Sequence, residues 1–248
     1  MSDQTEDEEL AEGTLLSHLI ELRSRLLVIA AAVVIAFVVL LPFSRDIFTL
    51  VSEPLREVLP GNAMIATAVA SPLLTPFKLT FFAALFLVMP VVLFQVWNFI
   101  APGLYKNEKR FAIPLLATSI VLFYLGIAFA YFVVFPLIFG FFTSIAPEGV
   151  EVQTDITQFL DFITTIVFAF GIAFEVPVAT VLIVWAGLTD IDKLGQARPY
   201  VFLMAFIAGM FLTPPDVISQ SLLAVPVYLL YELGIIMSRI FIKNKTDD

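Results

Sequence analysis

The sequence predicts an all-α polytopic membrane protein with six transmembrane helices and both termini on the cytoplasmic side. Its composition supports this class, because 60% of the 248 residues are hydrophobic and only 14% are charged. The mean hydropathy is +1.00. A soluble domain of this length is about half apolar and about a quarter charged. Since one small core cannot bury this much apolar surface, we expect several membrane crossings.

Six apolar runs predict the crossings, within a transmembrane domain of residues 15–240. The predicted spans lie near residues 24–43, 76–100, 109–142, 158–186, 199–212 and 217–237. In the fifth, the apolar part is only Tyr200–Leu212, about 20 Å of helix against a hydrocarbon core of about 30 Å. Pro214 and Pro215 then stop the helix, and Asp216 can cap the next one. Two short helices and a re-entrant hairpin both fit this pattern, and we favour two short helices.

Positive charge sets the predicted orientation. Lysines and arginines cluster at one set of boundaries: Arg23, Arg25, Lys106, Lys109, Arg110, Lys193, Arg198, Arg239, Lys243 and Lys245. The opposite loops hold only Arg45 and Arg56, so both termini are expected in the cytoplasm. Residues 44–75 form the large outside loop, where "DIFTLVSEPLREVL" has the spacing of an amphipathic helix on the membrane surface. The acidic residues 1–14 are expected to be a disordered tail, and residues 241–248 a cytoplasmic C-terminal tail.

Composition and motifs argue against several function classes. The net charge of −9 argues against nucleic acid as a partner. The absence of cysteine excludes disulfides, thiol catalysis and cysteine-ligated metals. His18 is the only histidine, and no H-E-x-x-H, G-x-S-x-G or phosphate-binding glycine motif occurs. We therefore expect no enzyme, no metal site and no cofactor.

Glu175, in "FGIAFEVPVA", is the predicted intramembrane polar site, with Gln95 as a weaker companion. A carboxyl group at membrane depth costs about 2.5–3.5 kcal/mol, so it should face protein or water. One interpretation is a protonated acid bonded to backbone loosened by Pro177. The other is a docking point for another helix or for a transported polar chain. Thr213 and Gln220 are similar signals, although such residues more often make helix-packing hydrogen bonds.

Two carboxylates lie in basic boundaries predicted to be cytoplasmic. Glu21 stands in "HLIELRSRLL" and Glu108 in "APGLYKNEKRF". The simpler interpretation of Glu21 is an i,i+4 ion pair with Arg25, which contributes only a few tenths of a kcal/mol when exposed. Glu108 has the corresponding interpretation of a solvated turn. Alternatively, each acid accepts a forked contact from one of two adjacent arginines in an extended ligand, whose side chains point to opposite faces.

Six motifs together closely resemble the TatC family, the core subunit of the twin-arginine protein translocase. They are, in chain order, "HLIELRSRL", "ASPLLTPFKLTFF", "VWNFIAPGLYKNEKR", "AFAYFVVFPL", "FGIAFEVPV" and "FLTPPDVISQ", and the match as a whole runs from about His18 to Arg239. The resemblance implies a six-helix, glove-like protein with a concave face in the bacterial inner membrane. It implies a receptor and scaffold that binds twin-arginine signal peptides and exports folded proteins with the proton-motive force. The implied partners are single-span TatA- and TatB-type subunits, further copies in a larger complex, and membrane lipid.

The resemblance also implies roles for individual residues. The signal-binding residues would be Glu21, Glu108, Arg23 and Phe99. Pro54 would shape a cap over the concave face, and Glu175 would be the intramembrane acid. Partner helices would dock near Met210, Thr213 and Gln220. The alternative function is a proton- or ion-coupled small-molecule transporter built around Glu175, although the inverted repeat of many such transporters is missing.

Overall fold

The computed structural model describes residues 2–58, 64–100, 109–145, 153–212 and 216–246. Within these residues, all secondary-structure elements are helices, apart from one isolated bridge. The α-helices are α1 (Ser2–Leu40), α2 (Ser44–Val58), α3 (Ser71–Leu87), α4 (Met89–Ile100), α5 (Lys109–Phe129), α6 (Phe135–Ser144), α7 (Ile156–Ala173), α8 (Val176–Trp185), α9 (Ile191–Leu212) and α10 (Val217–Thr246). A 3-10 turn at Leu41–Phe43 joins α1 to α2, and a π-helical turn at Ala130–Val134 joins α5 to α6.

The helices supply the predicted membrane crossings. In the part of the chain that the structure describes, five continuous helical segments are long and apolar enough to span: 19–56, 113–144, 156–185, 191–212 and 217–240. The α3–α4 pair, bent by 48°, counts as a sixth if the two helices form one span. This confirms the predicted all-α membrane fold, and the chain after the Pro214–Pro215 break forms a second long helix, α10.

Proline accounts for the breaks within the crossings. Pro90 and Pro177 lie in the first turns of α4 and α8, where a missing backbone N–H costs least. The preceding helices, α3 and α7, therefore end at Leu87 and Ala173. Pro136 similarly lies in the first turn of α6, directly after the π-helical turn. Of these breaks, the one between α3 and α4 bends the helix direction by 48°.

The core lies where α5, α6 and α7 meet. Its largest fully buried side chains include Phe123, Phe135, Ile138, Ile166 and Phe170. A second apolar cluster at the opposite end of the bundle joins α4, α5 and α8 through Trp97, Leu115, Val178 and Val181. Many other apolar side chains are exposed along the helices, as expected for surfaces that face lipid.

The outside loop was predicted to hold a surface helix, and α2 is that helix. Its side chains at Val51 and Leu55 pack against the α5–α7 core, with Leu55 only 2% exposed. The hydroxyl of Tyr131 donates to the carbonyl of Leu50 at 2.7 Å. The apolar stripe of α2 therefore lies against protein, where the sequence had suggested contact with the membrane surface.

Three element boundaries differ from the predicted ones. Residues 2–14 continue α1 as a helix, where a disordered tail was predicted, because alanine, leucine and glutamate favour helix and acids stabilise a helix N-terminus. Helix α9 begins at Ile191, since the polar residues before Tyr200 are also helical. Helix α10 continues to Thr246, so most of the predicted C-terminal tail is helical too. The last two helices, of 22 and 30 residues, are thus longer than the two short helices that the sequence predicted, because polar residues extend them beyond their apolar parts.

A short strap fastens the segment between α2 and α3 to the start of α7. Ile65 pairs with Asp155 as an isolated bridge, with Ile65 N donating to Thr154 O at 3.0 Å and Ile156 N to Ile65 O at 2.9 Å. One oxygen of Asp155 caps α7 by accepting from Thr157 N at 2.8 Å. The other accepts from the amide and hydroxyl of Thr67 at 2.9 and 2.7 Å. The two bonds from Thr67 lower the pKa of Asp155 to about 2, and the bond from the hydroxyl has the larger effect.

Candidate functional site

Glu21 lies midway along α1 and is held by an arginine one turn later. Arg25 Nε donates to Oε1 of Glu21 at 3.1 Å, and Arg25 Nη2 donates to the same oxygen. The side chain of Glu21 is 34% exposed and that of Arg25 is 19% exposed. The predicted i,i+4 ion pair is therefore present, but it lies against the rest of the bundle rather than standing free in solvent.

Arg25 also connects α1 to the end of α4. Its Nη1 donates to Gln95 Oε1 at 3.1 Å, and its Nη2 donates to the carbonyl of Asn98 at 3.0 Å. Phe99, a predicted signal-binding residue, follows directly on α4 and is half-buried. Arg23 is exposed on α1. The structure thus brings Glu21, Gln95 and the α4 end that carries Phe99 to one site.

The second predicted acid, Glu108, lies outside the described residues. Its flanking helices indicate which end of the bundle the connection serves. Helix α4 ends at Ile100 and α5 begins at Lys109. Trp97 near the end of α4 and Leu115 near the start of α5 belong to the same apolar cluster. The chain therefore leaves and re-enters the bundle at the end where Glu21 lies.

Glu175 occupies the break between α7 and α8, as its flanking proline suggested. Ser119 of α5 donates its hydroxyl to Oε2 of Glu175. Oε1 is buried without a hydrogen-bond partner among the described residues. A buried polar atom without a partner costs about 1–3 kcal/mol. A hydrogen-bond donor that reached Oε1 would remove this cost and would therefore bind favourably. Gln95, predicted as a companion of this acid, instead binds Arg25.

The predicted partner-docking residues lie on both sides of the α9–α10 break. Met210 on α9 is 49% exposed, and Gln220 on α10 is half-buried. Helices α9 and α10 approach closely there, since a Cβ on Gly209 would lie 3.5 Å from the carbonyl oxygen of Gln220. Thr213 falls outside the described residues. Asp216 caps α10 by accepting from Ser219 N at 2.7 Å, which confirms the predicted cap.

Two ion pairs between helices were not predicted from the sequence. Arg198 of α9 donates from Nε and Nη2 to the two oxygens of Glu232 of α10, at 2.6 and 2.8 Å. Tyr228 adds a third bond to Glu232 at 3.0 Å. An isolated acid within the last apolar run was the available signal. Lys78 of α3 pairs with Asp161 of α7, and both side chains are about half exposed.

Pro54 is the last of the predicted site residues, and a metal site was not expected. Pro54 lies inside α2 and is half-buried. Within the described part of the chain, no group of three or more His, Cys, Asp or Glu could hold a metal ion. The helices, with Glu175 at a break between two of them, define a polytopic α-helical membrane protein.

Comparison with known proteins assigns the family. The family described as Sec-independent protein translocase protein (TatC) matches residues 17–226. The chain is 62% identical over 222 residues to the TatC protein of Azotobacter chroococcum mcd 1, covering 89% of this chain and 87% of the relative. It is 56% identical over 229 residues to that of Escherichia coli strain K12, covering 92% and 89%. A crystal structure described as the twin arginine translocase receptor TatC superimposes with a TM-score of 0.80 at 35% identity, over 90% of this chain and 98% of that one.

The chain belongs to the TatC family. It is therefore a membrane subunit of a Sec-independent protein translocase, and this family is not one of enzymes. The resemblance identified from the motifs is confirmed, and the alternative of a small-molecule transporter built around Glu175 is set aside.

Proposed function

We propose that this chain is the signal receptor of a twin-arginine translocase in the bacterial inner membrane, with both termini in the cytoplasm. It binds the paired arginines of a signal peptide at the bundle end that carries Glu21. The observation that carries this proposal is the environment of that carboxylate. Glu21 is one-third exposed and stands beside the end of α4. There the carbonyl of Asn98 already accepts a hydrogen bond from an arginine, Arg25.

Paired arginines require two acceptors. In an extended segment, adjacent side chains point to opposite faces, so one carboxylate cannot bind both in a forked geometry. We propose Glu108, which directly precedes α5 in the chain, as the second acceptor. Arg23 and Phe99 border the same site and would contact the rest of the signal.

Assembly with single-span TatA- and TatB-type subunits is proposed at the α9–α10 break. Met210 and Gln220 border it, Thr213 lies within it, and the neighbouring Phe211 and Val217 are 79% and 78% exposed. Exposed apolar side chains beside a few polar ones suit the packing of another transmembrane helix. Pro54 would shape the outside cap, and the assembly would use the proton-motive force to export folded cargo.

Cross-linking of a twin-arginine signal peptide to the purified protein tests the proposal, with a twin-lysine peptide as control. Loss of a charge-assisted contact worth roughly 1.5–3 kcal/mol predicts that Glu21→Ala weakens binding about tenfold to hundredfold. Glu21→Arg should be worse, because it also repels the signal. Glu108→Ala should show the same class of defect, and the double change should be less than additive.

Thermal stability measured in parallel separates a binding defect from misfolding. The pair of Glu21 with Arg25 is partly exposed, so its loss should change stability little. Wild-type binding by a folded protein that lacks both acids would reject the receptor site proposed here.

A further inference from the structure

We propose that Arg25 is an internal competitor of the signal peptide for Glu21, and that this competition weakens the binding of a twin-arginine ligand more than that of a twin-lysine ligand. This inference rests on the proposed function, because it concerns how the same carboxylate discriminates among ligands. It starts from a simple observation: the acid proposed to await a guanidinium already holds one, supplied by its own helix.

The contact between the two side chains leaves half of the carboxylate open. Arg25 places Nε and Nη2 on one oxygen, Oε1 of Glu21. Among the described residues, Oε2 has no hydrogen-bond partner. A ligand cation can therefore reach Oε2 first, without moving Arg25. A forked contact, however, needs both carboxylate oxygens, so a ligand arginine gains its full geometry only by displacing Arg25 from Oε1.

Displacement does not leave Arg25 without partners. Its guanidinium also donates to Gln95 Oε1 at 3.1 Å and to Asn98 O at 3.0 Å, with a longer contact of 3.5 Å to Gln95 O. These acceptors belong to α4, so they stay in place when Glu21 turns towards a ligand. Arg25 therefore loses only its hydrogen bonds to Glu21. Because its bonds to α4 hold it nearby, it can return to Glu21 when the ligand leaves.

Arginine and lysine differ in what they gain from this exchange. The guanidinium of a ligand arginine presents several donors in a fixed fork, so it can take the place of the Arg25 guanidinium on Glu21. An ammonium group is a point charge that takes one oxygen, so it binds Oε2 and leaves Arg25 where it is. Removing Arg25 should therefore benefit a twin-arginine ligand more than a twin-lysine ligand. A change in charge alone would benefit both equally.

The first test compares Arg25→Gln with Arg239→Gln, which makes the same charge change at an exposed position on α10. Equilibrium binding of twin-arginine and twin-lysine peptides is measured on the folded, purified protein. We expect Arg25→Gln to tighten twin-arginine binding roughly twofold to fivefold, the range for partly exposed ion pairs, with a smaller gain for twin-lysine. Unchanged or weaker twin-arginine binding, or equal gains for both peptides, would overturn the inference.

Gln95→Glu provides a second test that retains Arg25 and its packing. One oxygen of the new carboxylate would take the place of Gln95 Oε1, which already accepts from Arg25 Nη1. The added negative charge should draw Arg25 away from Glu21 and so tighten twin-arginine binding. The double variant Glu21→Gln/Gln95→Glu should lose this gain. A gain that persists in the double variant would mean that residue 95 binds the signal directly, and the competitor role would be rejected.

The outcome also distinguishes this inference from the function on which it rests. If the wild-type protein binds twin-arginine and twin-lysine peptides alike, the proposed receptor function fails. If it prefers twin-arginine and Glu21→Gln abolishes the preference, the receptor function stands. The competitor role is then decided by Arg25→Gln and Gln95→Glu alone.

Discussion

Gly234→Ala is expected to destabilise the packing of the last helix. Gly234 lies on α10 where that helix crosses the start of α8. A Cβ built there would lie 1.9 Å from Thr180 Oγ1 and 2.9 Å from Pro177 Cα. Thr180 cannot simply rotate away, because its hydroxyl donates to the carbonyls of Val176 and Pro177 at 2.7 and 2.8 Å. The backbone at Pro177 cannot yield without moving α8.

The magnitude follows from overpacking. Inserting one methyl group into a close contact costs about 1–3 kcal/mol, and here a backbone atom is among those that must move. Two other glycines provide matched controls, because a Cβ on Gly140 or Gly195 meets nothing within 4 Å. At those positions alanine should be neutral or stabilising by up to about 1 kcal/mol, since it favours helix over glycine.

The assay is thermal unfolding of the three variants in the same detergent. Gly234→Ala should melt below wild type, whereas Gly140→Ala and Gly195→Ala should melt at or above it. Thr180→Ala in the Gly234→Ala background removes one of the two clashes, so the double variant should be less damaged than the sum of the singles. If Gly234→Ala melts with the controls, the close approach of α8 and α10 is wrong.

Two further predictions concern the pairs that join helices. Because its folded pKa lies near 2, below the ordinary value of about 3.9, Asp155 stabilises the strap above pH ~4 and loses this effect as the pH falls towards 2. Asp155→Asn should thus be less stable than wild type at neutral pH, with a difference that shrinks between about pH 4 and pH 2 in thermal unfolding. Glu232→Gln, which weakens the forked bond from Arg198, should lower the melting temperature while signal-peptide cross-linking stays at the wild-type level. A cross-linking defect in stable protein would contradict that assignment.

The crossings were predictable because hydrophobic length is a local property. Five or six apolar helices emerge where the runs of apolar residues predicted them. The Asp216 cap and the Glu21–Arg25 pair were predictable for the same reason, since each joins residues within four positions of one another. The local rules also placed Glu175 at a break in its helix, because Pro177 lies two residues later.

Contacts distant in sequence were not predictable. Gln95 lies 70 residues from Arg25, and its own helix gives no sign that an arginine of α1 will reach it. The strap between Ile65 and Asp155 depends likewise on how distant elements pack together. A helical pattern identifies the apolar face of an element but not which neighbour covers it.

The two interpretations of Glu21 derived from the sequence, an ion pair and a ligand acceptor, are compatible in the structure. Glu232 shows what a structural acid looks like here: both oxygens bind Arg198, and Tyr228 binds one of them as well. Glu21 binds through one oxygen, remains one-third exposed, and faces an arginine that has other acceptors. Because partly exposed pairs contribute little to stability, such a carboxylate can exchange partners at small cost. The ion pair therefore keeps the acid oriented until a better guanidinium arrives, and the weakness of the pair is what makes it useful for recognition.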